Sequence, residues 1–341
     1  MKNYCLRDEN AVFHECGFSC DNEIFLRLGE KAYFITDARY TTEAKELVRG
    51  AEVIEGGRDL IKCARDILRS SQVRKIVYNP SEWSVDAFER VSKSLHVNFI
   101  AKTNFSQEKR IVKTQEELVL LQEAVRLGAK AFDTFARFVR EEGIGLSEQA
   151  LHFEAENIFK DKGRLGLSFS PIVAINANAA KPHALPSQTL LKEGDLLLVD
   201  AGVLHARFCS DRTRTAEVSR ALHFGKEQHF TCKRRQEVYD VVLRAQEAAI
   251  RAARPGMKGC EVDAIGREII EKAGYGPYFV HSTGHGVGLD IHELPVISSR
   301  SRTVLEEGMI FTVEPGIYLP GEFGVRIEDM VVVTKDGVDV L

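Results

Sequence analysis

Acidic side chains stand where apolar, strand-like runs end in the C-terminal two thirds of the chain. Four apolar residues lead directly into Asp200, and Asp211 follows eleven positions later, just before an alternating strand-like run. A buried ionised carboxylate is costly unless it is paired or bound to a metal ion. Asp200 and Asp211 on adjacent strands could therefore share one cation or two. The alternative is an ion-pair network with Arg212 and Arg214, and the spacing alone leaves both interpretations open.

Two glutamates repeat this arrangement further along the chain. Glu314 ends the apolar run in MIFTVEPG, where a Pro-Gly pair turns the chain away. Glu328 lies in GVRIEDMVVV, where the alternation predicts one strand over 326–333 with Arg326, Glu328 and Met330 on the same face. Each glutamate alone is typical of a salt-bridged strand residue. Four such carboxylates in one region favour a metal site.

Histidines add a different kind of ligand. The string YFVHSTGHGVGLDIHELP contains His281, His285 and His292. Its glycines disfavour a helix, so His281 and His285 do not predict the helical zinc pair of a zinc protease. The same glycines lack the GxGxxG spacing of a nucleotide-binding loop. His183 lies in the loop ANAAKPHALPS, where a lone histidine is usually a surface residue.

The candidate ligand set is rich in oxygen, with four carboxylates and one imidazole. Such a hard set suits manganese, cobalt or iron better than a thiolate-rich zinc site does. Carboxylates that bridge would hold two ions about 3.5–4 Å apart, the spacing of two-metal hydrolases. The set therefore suits manganese, cobalt or iron, and bridging would allow two ions rather than one.

The elements that position these residues divide the chain in two. Residues 1–109 alternate strand-like and helical patterns, which predicts a small α/β domain that includes a hairpin around Gly29. Thr114 followed by Glu117 predicts a capping box, and a helix from there to about Arg140 opens the second domain. Further helices are predicted to begin at Ser147 and over 226–253 and 260–273. Strand-like runs between and after them make residues 110–341 an α+β domain.

Composition excludes several classes of protein. The chain has 341 residues, with 46 Lys and Arg against 50 Asp and Glu and a net charge of −4, which is not the basic footprint of a nucleic-acid-binding protein. No apolar run approaches the roughly 18 residues of a membrane span, and the start MKNYCLRDEN lacks a signal-peptide core. The seven cysteines are scattered and do not indicate a disulfide scaffold. We therefore expect a cytoplasmic protein without a membrane or nucleic-acid partner.

The order of the candidate ligands resembles that of the pita-bread metallopeptidases, which are methionine aminopeptidase, aminopeptidase P and prolidase. The strings that carry the resemblance are DAGVLHARFCSDRTRT, STGHGVGLDIHELP, VEPGIY and GVRIEDMVVVT. ENAVFHECGFSCDNEIFLRL and FITDARYTTEA resemble the smaller domain of the Xaa-Pro branch. The resemblance implies a creatinase-like N-terminal α/β domain over residues 1–109 and an α+β pita-bread catalytic domain over residues 110–341.

Five residues match the metal ligands of these enzymes: Asp200, Asp211, His285, Glu314 and Glu328. By this resemblance Asp211 and Glu328 would bridge two divalent ions, Asp200 would bind one of them, and His285 and Glu314 would complete the ligands of the other. The ions implied are manganese first, with cobalt, iron or zinc as alternatives. The ions would activate a water for attack on the peptide carbonyl.

Five residues match the family's catalytic and substrate-side positions: His183, His281, His292, Glu314 and Arg326. The resemblance implies that Glu314 carries the proton and that the three histidines position the scissile carbonyl and the proline nitrogen. Arg326 would orient carboxylate ligands or the substrate. The chain departs from the family pattern at His205, Arg207 and Phe208, where tyrosine, glycine and tyrosine are common, and this departure bears on substrate access.

The resemblance implies an Xaa-Pro aminopeptidase that acts on short proline-containing peptides and forms a homodimer. A prolidase, which cleaves only Xaa-Pro dipeptides, is the alternative with the same site. Two remoter alternatives are a non-catalytic binding protein on the same fold and a metal-free hydrolase of another C–N bond, such as that of a creatine-like compound. The intact ligand set argues against both of them.

Overall fold

The computed structural model describes residues 2–341. The chain forms two compact units, one ending at Arg110 and the other beginning at Ile111. Each unit has hydrophobic clusters of its own, so each is a separately packed body. Within residues 2–341, no helix combines the length and the apolar character needed to cross a bilayer.

A six-stranded mixed sheet forms the centre of the N-terminal unit. Its strands are β1 (Asn3–Leu6), β2 (Glu23–Leu28), β3 (Lys31–Thr36), β4 (Glu52–Glu55), β5 (Lys75–Tyr78) and β6 (Asn98–Ala101). Its helices are α1 (Glu9–Cys16), α2 (Thr41–Leu47), α3 (Leu60–Ser70), α4 (Val85–Ser92) and α5 (Phe105–Lys109). The strand order is β4-β3-β2-β1-β5-β6. The predicted hairpin is the antiparallel pair β2–β3.

Both faces of this sheet are buried because consecutive residues of its central strands are apolar. Successive side chains of a strand point to opposite faces. Phe25 packs on one face in a cluster with Val12 of α1. Ile24 and Leu26 pack on the other face in a cluster with Ala64 of α3.

The C-terminal unit contains four helices and thirteen short strands. The helices are α6 (Gln115–Phe138), α7 (Glu148–Phe159), α8 (Lys233–Ala252) and α9 (Gly259–Lys272). The first strands are β7 (Gly166–Leu167), β8 (Ile172–Ile175), β9 (Leu196–Asp200), β10 (Val203–His205), β11 (Phe208–Cys209) and β12 (Thr213–Glu217). The others are β13 (Gly284–Gly286), β14 (Glu293–Ile297), β15 (Ile310–Val313), β16 (Gly316–Leu319), β17 (Phe323–Arg326), β18 (Asp329–Val333) and β19 (Val338–Val340).

These strands form small sheets that bring distant parts of the chain together. β9 lies between β8 and β12, and all neighbours are antiparallel. A second sheet has the order β14-β13-β15-β18-β19, and β16 and β17 form a hairpin. β10 lies between β7 and β11 in another three-stranded sheet.

The start of α6 follows the predicted capping box. The hydroxyl of Thr114 accepts a hydrogen bond from the backbone N–H of Glu117, and the Glu117 carboxylate accepts one from the Thr114 N–H. These bonds satisfy donors that the first helical turn leaves without partners. One wider turn, Val139–Gly143, continues α6 and ends close to the predicted end. Ser147 caps α7 as predicted.

The predicted start of the helix over 226–253 is wrong. The structure begins α8 at Lys233. Residues before it stay outside the helix, where the side chain of Gln236 accepts a hydrogen bond from the backbone N–H of Phe230 at 2.8 Å. A side-chain acceptor thus replaces the helical carbonyl that Phe230 would otherwise need.

The predicted single strand around Glu328 is also wrong. β17 ends at Arg326 and β18 begins at Asp329, in a different sheet. Between them the backbone N–H of Glu328 donates to the carbonyl of Thr213 at 3.1 Å, and Arg214 Nη1 donates to the carbonyl of Glu328. These bonds hold Glu328 outside both strands, so it does not follow the strand alternation on which the prediction depended.

Candidate metal centre

Two of the predicted acidic residues lie at one end of the β8–β9–β12 sheet. Asp200 is the last residue of β9 and pairs with Thr213, the first residue of β12. It also pairs with Ile172, the first residue of β8. Asp211 lies two residues before β12 begins. Antiparallel pairing therefore brings both aspartates to the same end of the sheet.

The other predicted ligands meet Asp211 from distant strands. One ligand atom from each of Asp211, His285 and Glu328 lies within 4.8 Å of the other two. His285 Nε2 is 3.6 Å from Asp211 Oδ2 and 3.4 Å from Glu314 Oε1. His285 belongs to β13, Glu314 follows β15, and Glu328 lies in the break between β17 and β18. The name acidic cluster is used below for Asp200, Asp211, His285, Glu314 and Glu328.

A close approach of two strands sets the orientation of His285. A Cβ at Gly284 would lie 1.8 Å from the carbonyl oxygen of Thr312, so only glycine fits there. His285 Nδ1 lies 3.1 Å from the carbonyl oxygen of Gly286, to which it donates. Nε2 is then the unprotonated nitrogen, and it faces the carboxylates. The Thr312 hydroxyl accepts from the His285 N–H and donates to Glu314 Oε1.

Burial and mutual repulsion shift the titration of the cluster. Burial raises the pKa of Glu314 to about 8. Burial also raises the pKa values of Asp211 and Glu328 well above their ordinary range, and the charge of Asp200 contributes to all three shifts. Burial lowers the pKa of His285 to about 4. Carboxylates this crowded require bound protons or a bound cation.

Arg326 connects two carboxylates of the cluster. Its guanidinium is buried, and its Nη2 lies 2.5 Å from Asp200 Oδ2. Its Nε donates to the hydroxyl of Thr213 at 3.0 Å, and that hydroxyl donates to Glu328 Oε2 at 2.6 Å. Arg326 thus orients Asp200 directly and Glu328 through Thr213.

His281 lies beside the cluster with both ring nitrogens in hydrogen bonds. Nδ1 donates to the carbonyl of Ser282 at 2.8 Å, so Nε2 accepts from the hydroxyl of Tyr318 at 2.8 Å. The Tyr318 oxygen in turn accepts from Arg326 Nη1. Burial, with the positive charge of Arg326, lowers the pKa of His281 to about 4. A substrate-positioning role for His281 stays a prediction.

The structure places the two other predicted histidines near this group. The ring of His292 meets the ring of His285 edge to face, with centroids 4.3 Å apart. Burial lowers the pKa of His292, and the charge of His183 lowers it further. His183 also contributes to the lowered pKa of His281. Both His183 and His292 are exposed, and their contact with a substrate stays a prediction.

The alternative ion-pair network does not form in residues 2–341. Asp200 pairs with Arg326, whereas Arg214 pairs with Asp329 at 2.5 Å. No described carboxylate lies within ion-pair distance of Arg212. The sequence interpretation did not assign Tyr318 or Thr213 to the site. Tyr318 lies in VEPGIY, four residues after a candidate ligand, which is the one signal that could have identified it.

The turn between β10 and β11 keeps an unusual backbone at a position that departs from the family pattern. Arg207 has a φ of 71° and Ala206 a φ of 47°. This left-handed conformation favours glycine, which is common in the family where Arg207 stands. Arg207 therefore adopts this conformation at a cost in backbone strain.

The cluster fits divalent metal ions. Asp200 Oδ1 is buried and has no hydrogen-bond partner among the described residues. Such an atom is expensive to bury unless a ligand is bound to it. Carboxylate oxygens together with one imidazole nitrogen are donors that manganese, iron, cobalt and zinc accept. The donor set and the unsatisfied Asp200 oxygen thus both fit a cation.

Comparison with known proteins gives matches in both sequence and structure. Residues 119–335 match the sequence profile described as metallopeptidase family M24. An Xaa-Pro dipeptidase from Pyrococcus furiosus is 40% identical over 256 residues, which cover 72% of this chain and 70% of that protein. The predicted enzyme class, a metal-dependent hydrolase, is confirmed by these matches.

Two solved structures resemble the fold over nearly the whole chain. An Xaa-Pro dipeptidase from Bacillus anthracis superimposes with a TM-score of 0.90 at 33% identity, covering 99% of this chain and 92% of that one. An X-Pro aminopeptidase from Thermotoga maritima gives a TM-score of 0.86 at 31% identity, covering 100% and 93%. The predicted pita-bread fold is confirmed by these similarities.

Proposed function

The chain belongs to metallopeptidase family M24, and from this premise we propose that it hydrolyses Xaa-Pro dipeptides with the help of two divalent ions. The observation that carries the proposal is the buried acidic cluster, in which His285 meets Asp211 and Glu314 within 3.6 Å. Xaa-Pro dipeptidases are among the most similar proteins in both sequence and structure. The proposal therefore prefers dipeptides over the longer peptides that the sequence interpretation favoured.

The acidic cluster supplies the ligands in this proposal. Asp200, Asp211, His285, Glu314 and Glu328 would together hold the ions. Bound divalent ions lower the pKa of a water and polarise the scissile carbonyl. Manganese is the ion we propose, because hard carboxylate oxygens outnumber the single imidazole nitrogen among these ligands.

The chain's own side chains do the positioning and move the proton. Glu314 is the proposed proton carrier, because its carboxylate lies inside the acidic cluster, 3.4 Å from His285 Nε2. Arg326 and Thr213 fix the directions in which Asp200 and Glu328 present their oxygens. His183 and His292 are exposed beside the cluster, where they would orient the substrate.

The chemistry of proline explains why a peptidase needs a specialised site to cleave an Xaa-Pro bond. A peptide bond to proline has no N–H, and its ring fixes the backbone. Peptidases that require that hydrogen bond cannot use this substrate. Neighbouring histidines and apolar groups can contact the ring without needing the missing donor.

The test compares Ala-Pro, Ala-Pro-Ala and Ala-Ala as substrates of metal-stripped protein, with and without added manganese. We expect manganese-dependent cleavage with the highest kcat/KM for Ala-Pro and none for Ala-Ala. Glu314→Gln should lose about 10²-fold or more of the activity, because general acid–base catalysis contributes about that much. Glu307→Gln, at an exposed position, is the matched control and should keep full activity.

Preferential cleavage of Ala-Pro-Ala would replace the dipeptidase with an Xaa-Pro aminopeptidase, as in the Thermotoga maritima structure. Failure to cleave any of these peptides, with manganese demonstrably bound, would overturn the Xaa-Pro proposal altogether.

A further inference from the structure

A second group of charged side chains lines a cavity that the proposed reaction does not use. The cavity has a volume of about 310 Å³. Three cationic residues line it, namely Arg212, Arg214 and Lys226, and Ser210 adds a hydroxyl. Small apolar residues of α6 close another side of it. The cavity therefore combines room for a ligand with a concentration of positive charge.

One carboxylate, that of Asp329, pairs with these cations. Its Oδ1 lies 2.5 Å from Arg214 Nη2, and its Oδ2 lies 2.6 Å from Lys226 Nζ. Asp211 also lines the cavity, but its Oδ2 is turned to His285 in the acidic cluster. Each carboxylate oxygen of Asp329 is thus paired with one cation, Arg214 or Lys226, and neither oxygen is paired with Arg212.

Arg212 is the cation without an ion pair among the described residues. Its guanidinium lies over the ring of Phe132, and its Nη2 donates only a long bond of 3.4 Å to the carbonyl of Phe224. Asp133 is an acidic neighbour at longer range. A half-buried guanidinium normally has a carboxylate or several acceptors in direct contact, whereas the acidic neighbours of Arg212, Asp329 and Asp133, act on it from beyond ion-pair distance.

Two donors of this cavity are also unsatisfied. Arg214 is 2% exposed. Its Nε, like the Nε of Arg212, is buried and has no hydrogen-bond partner among residues 2–341. Buried donors without acceptors cost free energy that a ligand with acceptor oxygens can recover. Three cationic side chains and two unsatisfied buried donors together favour a small oxyanion.

We propose that this cavity binds a small tetrahedral oxyanion of the phosphate class. Guanidinium groups match phosphate oxygens with paired, charge-assisted hydrogen bonds. A water occupies about 30 Å³ in the liquid, so the cavity holds such an anion together with several waters. Arg212 directly follows Asp211, and Asp329 directly follows Glu328. Occupation of the cavity therefore acts on the segments that carry two members of the acidic cluster.

The experiment titrates inorganic phosphate into the metal-stripped full-length protein and records the heat of binding at constant ionic strength. Stripping the metal prevents phosphate from binding to the ions themselves. Two other anions are titrated for comparison. Chloride tests whether negative charge alone is enough for binding, and acetate tests whether a carboxylate is enough. We expect one saturable phosphate site and no saturable site for either of the other anions.

Two variants locate the site. Arg212→Leu should weaken phosphate binding about tenfold or more, the effect of losing one charged hydrogen bond. Lys226→Met, at a side chain that is 31% exposed, should weaken it several-fold and serves if Arg212→Leu does not fold. Arg220→Leu, an exposed arginine after β12, is the matched control and should bind phosphate like the unmodified protein.

Absence of saturable phosphate binding would overturn the proposal. So would equal binding of acetate, or an undiminished affinity in both cavity variants. Because the readout is binding to metal-free protein, its failure leaves the proposed peptidase activity untouched, and failure of that activity leaves this site untouched.

Discussion

Thr213 shows how much of the proposed metal centre depends on one neutral side chain. Its hydroxyl accepts a hydrogen bond from Arg326 and donates one to Glu328. Both the acceptor and the donor capacity of the hydroxyl are thus used. The group is buried, so water cannot replace it at the same place.

Replacing Thr213 with valine should therefore disturb the centre while keeping the shape of the side chain. Partners that orient metal ligands typically contribute about 10–100-fold to metal affinity or activity, and we expect Thr213→Val to lose that much manganese affinity. Calorimetric titration with manganese measures it. Thr134→Val, which loses a hydroxyl bonded only to the carbonyl of Lys130 in α6, should bind manganese normally. Equal affinities in the two variants would contradict the role given to Thr213.

At the residue scale, some residues of this site could be predicted from the sequence and others could not. A carboxylate at the end of an apolar run, such as Asp200, is visible because burial makes it costly. The direction of a hydroxyl is not visible, because Thr213 and Arg326 meet across more than a hundred positions of the chain. Tyr318 was missed for the same reason.

At the scale of elements, Glu148 fastens the loop that carries His183. Its carboxylate is fully buried at the start of α7. It accepts hydrogen bonds from the backbone N–H groups of Ile175 and Ser187, at 2.6 and 2.7 Å, and from the side-chain amide of Asn178 at 2.7 Å. One carboxylate therefore ties both ends of this loop to a helix.

Glu148→Gln should destabilise the protein, because an amide places donors where the loop already presents donors. Leaving buried partners unsatisfied costs about 1–3 kcal/mol. Urea unfolding followed by circular dichroism measures this loss. Glu154→Gln, in the same helix and without such bonds among the described residues, should unfold like the unmodified protein. An unchanged midpoint for Glu148→Gln would show that the three bonds contribute nothing.

The helices and strands also show where the sequence pattern alone fails to predict the structure. Long apolar periodicity and a capping box located α6 and α7 well. The break at Glu328 could not be read from GVRIEDMVVV, because bonds to Thr213 and Arg214 interrupt an otherwise regular alternation. The late start of α8 likewise depends on Gln236 and the loop before it. Tertiary hydrogen bonds determine both the break at Glu328 and the start of α8.

At the scale of the whole molecule, the cluster makes stability depend on pH and metal. Without metal, Glu314 titrates near pH 8 in the folded chain and near its ordinary pKa when unfolded. The stability that its protonated form contributes is complete below about pH 4.5 and is lost as the pH rises towards 8. For His281 and His285 the folded pKa is about 4. Their contribution is complete above about pH 6.5 and is lost as the pH falls towards 4.

Manganese should therefore stabilise the protein more at pH 8 than at pH 6. Rising pH lowers the stability of the metal-free protein by up to about 1.4 kcal/mol per unit for each such carboxyl. It also frees ligands for the metal, because protons and metal ions compete for them. Thermal unfolding with and without manganese at both pH values measures the difference in Tm. A difference that stays constant or shrinks towards pH 8 would contradict the raised pKa of Glu314.

The spread of the acidic cluster along the chain has a consequence for biosynthesis. Asp200 and Asp211 emerge from the ribosome long before Arg326 and Glu328 are translated. Until then Asp200 lacks its ionic partner and β15 lacks its neighbour β18. A nascent chain therefore cannot bury these aspartates at low cost or hold metal ions in a closed site. The proposed metal site can therefore close only at the last stage of synthesis, and a chain truncated before residue 326 would leave β15 without its neighbour β18 as an open sheet edge.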